Sequence, residues 1–86
     1  DPKYAWAYAR RAEAYLALNN KTQALQDAEQ AIKYRPKLSL SYLIQGKIFD
    51  SEGNTASALD VYRRVKQVNP KIKIPEKYQQ LLDQGN

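Results

Sequence analysis

The chain contains no cysteine and no histidine, and glycine occurs only three times among its 86 residues. Without thiols or imidazoles it can form no disulfide, build no thiolate or imidazole metal site, and use neither of the commonest nucleophile and base partners. Glycines at 46, 53 and 85 make no phosphate-cradling loop, and no spacing of ligand residues points to a metal site. The carboxylates of Asp27 and Glu29 lie close in sequence, but two residues apart on a helix they face different directions and read as solvated. Neither an enzyme nor a cofactor nor a small-molecule substrate is therefore expected. No apolar run approaches the roughly 20 residues needed to cross a bilayer, and the first residues lack the basic-then-apolar layout of a signal peptide. No membrane partner is indicated, and the cytoplasm is the default expectation.

What is present is ordinary for a packed chain: 43% hydrophobic and 27% charged residues, far from the composition of disorder. A chain this short supports one core. The net charge is +5. Arg63, Arg64, Lys66, Lys71, Lys73 and Lys77 stand against only Glu76 and Asp83 beyond residue 61, so the last third holds much of the excess. That reads first as a solvated helix face and second as an electrostatic docking surface. A nucleic-acid contact is the weaker reading, because interleaved aromatics and a recognisable nucleic-acid fold are missing there.

Prolines fall at 2, 36 and 70, so two successive intervals are equal, and a lysine follows each proline. The same offset pairs Tyr8 with Tyr42, Ala12 with Gly46, Tyr15 with Phe49, Asn20 with Asn54, and Ala24-Leu25 with Ala58-Leu59. Such a period predicts a solenoid, in which each unit buries its apolar face only against its neighbours. Within a unit, Tyr4, Tyr8, Ala12, Tyr15 and Leu16 and then Ala24, Leu25, Ala28, Ala31 and Ile32 follow helical spacing. The expected helices are roughly 4–18, 22–34, 38–52 and 55–68. Asn and Gly at 19–20 and 53–54 permit the left-handed exit of a helix, Thr22 and Thr55 are candidate caps, and Pro36 and Pro70 stop the second helix of each pair. A fifth helix starts near Pro75, with Tyr78, Leu81 and Leu82 on one face, as a terminal cap requires.

By these residues the chain resembles the tetratricopeptide repeat, whose pattern is W-x2-L-G-x2-Y, A-x3-F, P. The first unit reads Tyr8-x2-Arg11-Ala12-x2-Tyr15, Ala24-x3-Ala28, Pro36; the second reads Tyr42-x2-Gln45-Gly46-x2-Phe49, Ala58-x3-Tyr62, Pro70. Arg11 and Gln45 replace the usual leucine, Ala12 the glycine, and Ala28 the aromatic. The expected architecture is an all-α α-solenoid of antiparallel helix pairs with about five helices. Residues 1–3 would end a preceding repeat, 4–37 and 38–71 form two repeats, and 72–86 form a C-terminal capping helix. Small residues at 12, 24, 46 and 58 let helix backbones approach, and the rings of Tyr8, Tyr15, Tyr42, Phe49 and Tyr62 fill the gaps beside them.

The resemblance implies that the first helix of each pair lines a concave face where a protein or peptide partner lies. Mapped onto this chain, that face carries Trp6, Ala9, Arg10 and Glu13, then Leu40, Leu43, Ile44 and Lys47. Trp6 turns about 200° from Tyr8 and is a candidate partner contact, or a contact with an upstream repeat. Arg10 can fork onto an acidic group of the partner. In some family members a clamp of Lys, Asn and Arg holds a chaperone's C-terminal carboxylate; only Arg10 matches that clamp here. The expectation is a scaffold, adaptor or co-chaperone-like interaction module, with a structural spacer as the alternative. Self-association through the end face around Tyr4, Trp6 and Ala9 stays open.

Overall fold

The computed structural model describes residues 2–85, and all its regular structure among them is helical. The helices are α1 Pro2–Ala17, α2 Lys21–Tyr34, α3 Ser39–Ser51, α4 Thr55–Val68 and α5 Glu76–Gln84. Helix α1 starts earlier than the spacing predicts: Pro2 is its first residue, where a missing amide hydrogen costs nothing. Pro36 and Pro70, by contrast, stand just past the ends of α2 and α4. Asp1, the first residue of the expected 1–3 segment, lies outside the described residues.

The exits from α1 and α3 are built alike. Asn19 (φ 63°) and Gly53 (φ 76°), one repeat apart, take the left-handed conformation. The next amide reaches back to close the helix, Asn20 N to Tyr15 O at 2.8 Å and Asn54 N to Phe49 O at 2.9 Å. The caps that follow are Asn20 and Asn54 rather than Thr22 and Thr55. Thr55 is already the first residue of α4 and Thr22 the second of α2, so neither occupies the cap position. The Asn54 side chain accepts from Ser57 N at 3.3 Å.

α1 packs on α2 and α3 on α4, each pair antiparallel through its tight exit. Helix α3 also packs against both helices of the first pair. Ala12, Ala24 and Ala28 are fully buried with Ile44 and Ile48 of α3, and Ala5, Ala9 and Ala31 surround Leu38. Six alanines thus form a smooth surface into which α3 presses its branched side chains, the close approach that small residues permit. The other flank of α3 buries Tyr42 and Gly46 toward α4. α3 is therefore buried on two sides, and this corrects one expectation for the concave face: Ile44 is 2% exposed and belongs to the core. Ala9, at 0%, does too.

The register continues past the second pair. Ile72, Ile74, Tyr78 and Leu82 fall one period after Leu38, Leu40, Ile44 and Ile48. Ile72, Ile74 and Tyr78 pack on the cluster of Tyr42, Ala58, Tyr62 and Val65. Lys66 fixes the turn before α5, its Nζ donating to the carbonyls of Pro70 at 2.9 Å and Ile72 at 3.0 Å. The Tyr78 hydroxyl donates to Asp50 Oδ1 at 2.7 Å, tying α5 to α3. Burial, then the nearby Asp50 charge, pushes the Tyr62 hydroxyl up to about 12. Burial raises Tyr78 as well, reinforced by its hydrogen bond to Asp50.

Asp27 also differs from its expected solvated state. It is 5% exposed and grips Arg11 with both oxygens, Nε to Oδ2 at 2.6 Å and Nη2 to Oδ1 at 2.8 Å. The guanidinium lies 5.6 Å from the Tyr8 ring centre and 5.8 Å from that of Tyr15. This explains why arginine stands where the repeat pattern prefers leucine: its planar fork matches the carboxylate and its face suits the rings. The hydrogen bond to Asp27, then its charge, raises the Arg11 pKa further above its ordinary value.

Candidate peptide-binding face

Of the residues expected on the concave face, six have side chains at or near the surface. On α1, Trp6 is 42% exposed and Arg10 and Glu13 are exposed. Arg10 lies one turn beyond Trp6, its guanidinium carbon 5.4 Å from the indole ring, and it pairs with Glu13 at 3.1 Å. On α3, Lys47 is exposed while Leu40 and Leu43 are half-buried. Leu40 packs on the alanine surface shared with the first helix pair, and Leu43 on the cluster around Tyr62. Both leucines keep an edge toward solvent. Ile44 and Ala9 drop out, because the packing of α3 onto α1 consumes them.

The fixed geometry matters for binding. The Trp6, Arg10 and Glu13 side chains hold one another, and the leucines are immobilised from beneath. Binding at this face would therefore cost the chain less side-chain freedom than binding at a loose surface. The sequence reading missed a continuation onto α5. Ile74, Lys77 and Leu81 fall one period after Leu40, Leu43 and Lys47. Ile74 and Leu81 are half-buried, and Lys77 reaches Asp50 of α3 at 3.7 Å. The signal for it is the period itself, which runs on beyond Pro70.

The opposite flank carries a separate depression of about 410 Å³, lined by Glu29 and Ile32 of α2, Tyr42, Gln45 and Phe49 of α3, and residues of α4 including Val61 and Arg64. Gln45 and Val61 are the register equivalents of Arg11 and Asp27. The space that the ion pair fills in the first unit is left partly open in the second.

The basic last third turns out to be largely engaged. Arg63 pairs with Asp60 at 3.1 Å, Lys77 with Asp50, Arg64 lies 6.0 Å from the Tyr42 ring, and Lys66 serves backbone carbonyls. Among the described residues there is no group of three metal-ligating side chains, and no helix is long and apolar enough to cross a membrane.

Helix pairs repeated in register, packed through small residues, define an α-helical repeat module. A model described as the tetratricopeptide repeat matches residues 7–38, and with this fold the chain belongs to the tetratricopeptide repeat family. Among curated proteins it is similar to mouse tetratricopeptide repeat protein 12, 30% identical over 66 residues covering 77% of this chain. It is likewise similar to the human protein of that name, 32% identical over 65 residues covering 76% of the chain. The chain spans 9% of the length of either relative. No solved structure matches it. Tetratricopeptide repeats are in general non-catalytic protein-interaction modules.

Proposed function

We propose that the chain is a non-catalytic interaction module that holds a peptide or partner helix across the face formed by Trp6, Arg10, Leu40, Leu43 and Lys47, within a scaffold or adaptor. The observation that carries this reading is the exposed Trp6–Arg10 pair, with the guanidinium held 5.4 Å from the indole ring, together with the half-buried Leu40 and Leu43 of α3. Tryptophan and arginine dominate binding energetics when a partner seals them from water. Arg10 and Lys47 favour a partner bearing a carboxylate beside its apolar anchor.

Peptides selected against the chain from a random library supply the test, with binding followed by Trp6 fluorescence. Arg10→Glu and Lys47→Glu are both at exposed positions and leave the fold intact by circular dichroism; each should weaken binding at least ten-fold. If selection yields only peptides indifferent to both substitutions, the spacer reading takes over. Leu43→Asp and Ile44→Asp are unsuitable probes, because they drive a carboxylate into packed surface.

A further inference from the structure

We infer that the corner where the start of α1 meets the end of α2 binds single-stranded nucleic acid, through the rings of Tyr4 and Tyr34 and the cations Lys33, Arg35 and Lys37. This surface is distinct from the peptide face, and two independent features point to it.

The first is aromatic. Tyr4 is 56% exposed and Tyr34 39% exposed, two of the four large hydrophobic side chains left open among the described residues. Their positions are nevertheless fixed. Tyr4 meets Tyr34 edge-on with centroids 5.7 Å apart, and Tyr34 stacks on Tyr8 at 5.8 Å with only 7° between the planes. The register equivalents of Tyr4 and Tyr34 are Leu38, buried, and Val68, half-buried. Where the second unit is aliphatic, the first presents rings locked in place with their outer surfaces wet. A nucleobase stacks on such a ring without first having to order it, whatever its sequence.

The second feature is charge. Residues 2–8 and 30–40, the two stretches that meet here, contain no Asp or Glu but four Lys and Arg residues. Asp1 adjoins the first stretch and lies outside the described residues. Among the described residues, no ion pair or side-chain hydrogen bond engages Lys33, Arg35 or Lys37, and all three are exposed. A cation in the last turn of α2 complements the helix dipole, which accounts for Lys33. It does not account for Lys37, which lies beyond the helix, nor for wet rings among the cations. The basic last third, where the composition alone directs attention, has most of its charge engaged internally. Lys71 and Lys73 are exposed there without rings beside them, whereas Lys33, Arg35 and Lys37 lie beside the aromatics that a single strand requires.

The test uses the full chain and a fluorescein-labelled ten-nucleotide oligouridylate, read by anisotropy across a salt series. Binding at low salt should weaken with a log–log slope of about −2, as expected when about three phosphates are neutralised on a single strand. Tyr4→Leu and Tyr34→Leu, which keep an apolar side chain, should each lower affinity about ten-fold by removing a stacking surface. Lys33→Glu with Arg35→Glu and Lys37→Glu should abolish binding, and Lys47→Glu on the peptide face should change it less than two-fold. Circular dichroism controls for folding. Absence of binding at low salt overturns the inference. So does an oligoglutamate of equal charge binding as tightly as the oligonucleotide with both tyrosine variants unaffected, which would assign the corner to an acidic protein instead.

Discussion

The two helix pairs share a period and a backbone but fill their interiors in opposite ways. In the first, Ala12 faces Ala28 and both are fully buried, so the space between the helices is filled from outside by Ile44 and Ile48 of α3. In the second, Gly46 replaces Ala12 and Tyr62 replaces Ala28. The missing Cβ makes room for the ring, since a Cβ on Gly46 would stand 2.6 Å from Tyr62 Cε1. Tyr62 in turn meets Tyr78 of α5, centroids 4.9 Å apart. The outer side is exchanged too: Arg11 and Asp27 form a fork between two rings, whereas Gln45 and Val61 leave a depression. The departures from the repeat pattern therefore come as matched pairs. A residue that looks irregular alone is half of a local solution.

That coupling can be broken most forcefully at Tyr62. Tyr62→Ala should cost about 3–5 kcal/mol by urea denaturation, because it empties the junction with α5, while Ala28 shows that alanine at this position is harmless when its neighbours supply the bulk. Gly46→Ala should cost about 1–3 kcal/mol, since the buried ring has nowhere to retreat. A cost below half a kilocalorie would mean that the glycine is incidental. Alkaline titration addresses the same junction. The folded Tyr62 pKa lies above the unfolded value of 10.0, so its contribution is complete below pH 10 and lost as pH rises toward about 12. Stability should fall over that window, and near-ultraviolet absorbance should show Tyr62 ionising late.

Smaller effects sharpen the outer comparison. Asp27→Asn should lower Tm and reduce its dependence on salt, and the double change Gln45→Arg with Val61→Asp should restore stability that either single change loses. Ser41 gives the smallest effect. Its hydroxyl is fully buried with no hydrogen-bond partner, and Ser41→Ala should be neutral or stabilising by about 0–1 kcal/mol in the same denaturation assay.

The fold was legible because its determinants are local and repeated. Helix breakers at 36 and 70, left-handed exits at 19 and 53, and small residues at 12, 24, 46 and 58 each dictate backbone geometry through their own chemistry. The surface was less legible because exposure depends on neighbours. Ile44 sits on an apolar stripe that spacing cannot apportion between a partner and the preceding helix pair. Asp27 reads as solvated until α1 brings Arg11 across. Trp6, Arg10 and Lys47 fall on the open side in both readings because nothing adjacent in sequence competes for them. Lys66 and Lys77 look like free charge until the turn before α5 puts carbonyls and Asp50 within reach.

The central claim is that the partner lies along the α1 and α3 inner face. The most direct measurement is amide and methyl chemical-shift mapping of the chain with a selected peptide. Perturbations are expected at the Trp6 indole, the Leu40 and Leu43 methyls and Lys47, extending to Ile74. Perturbations confined to Ile32, Phe49 and Val61, around the depression on the opposite flank, would contradict it.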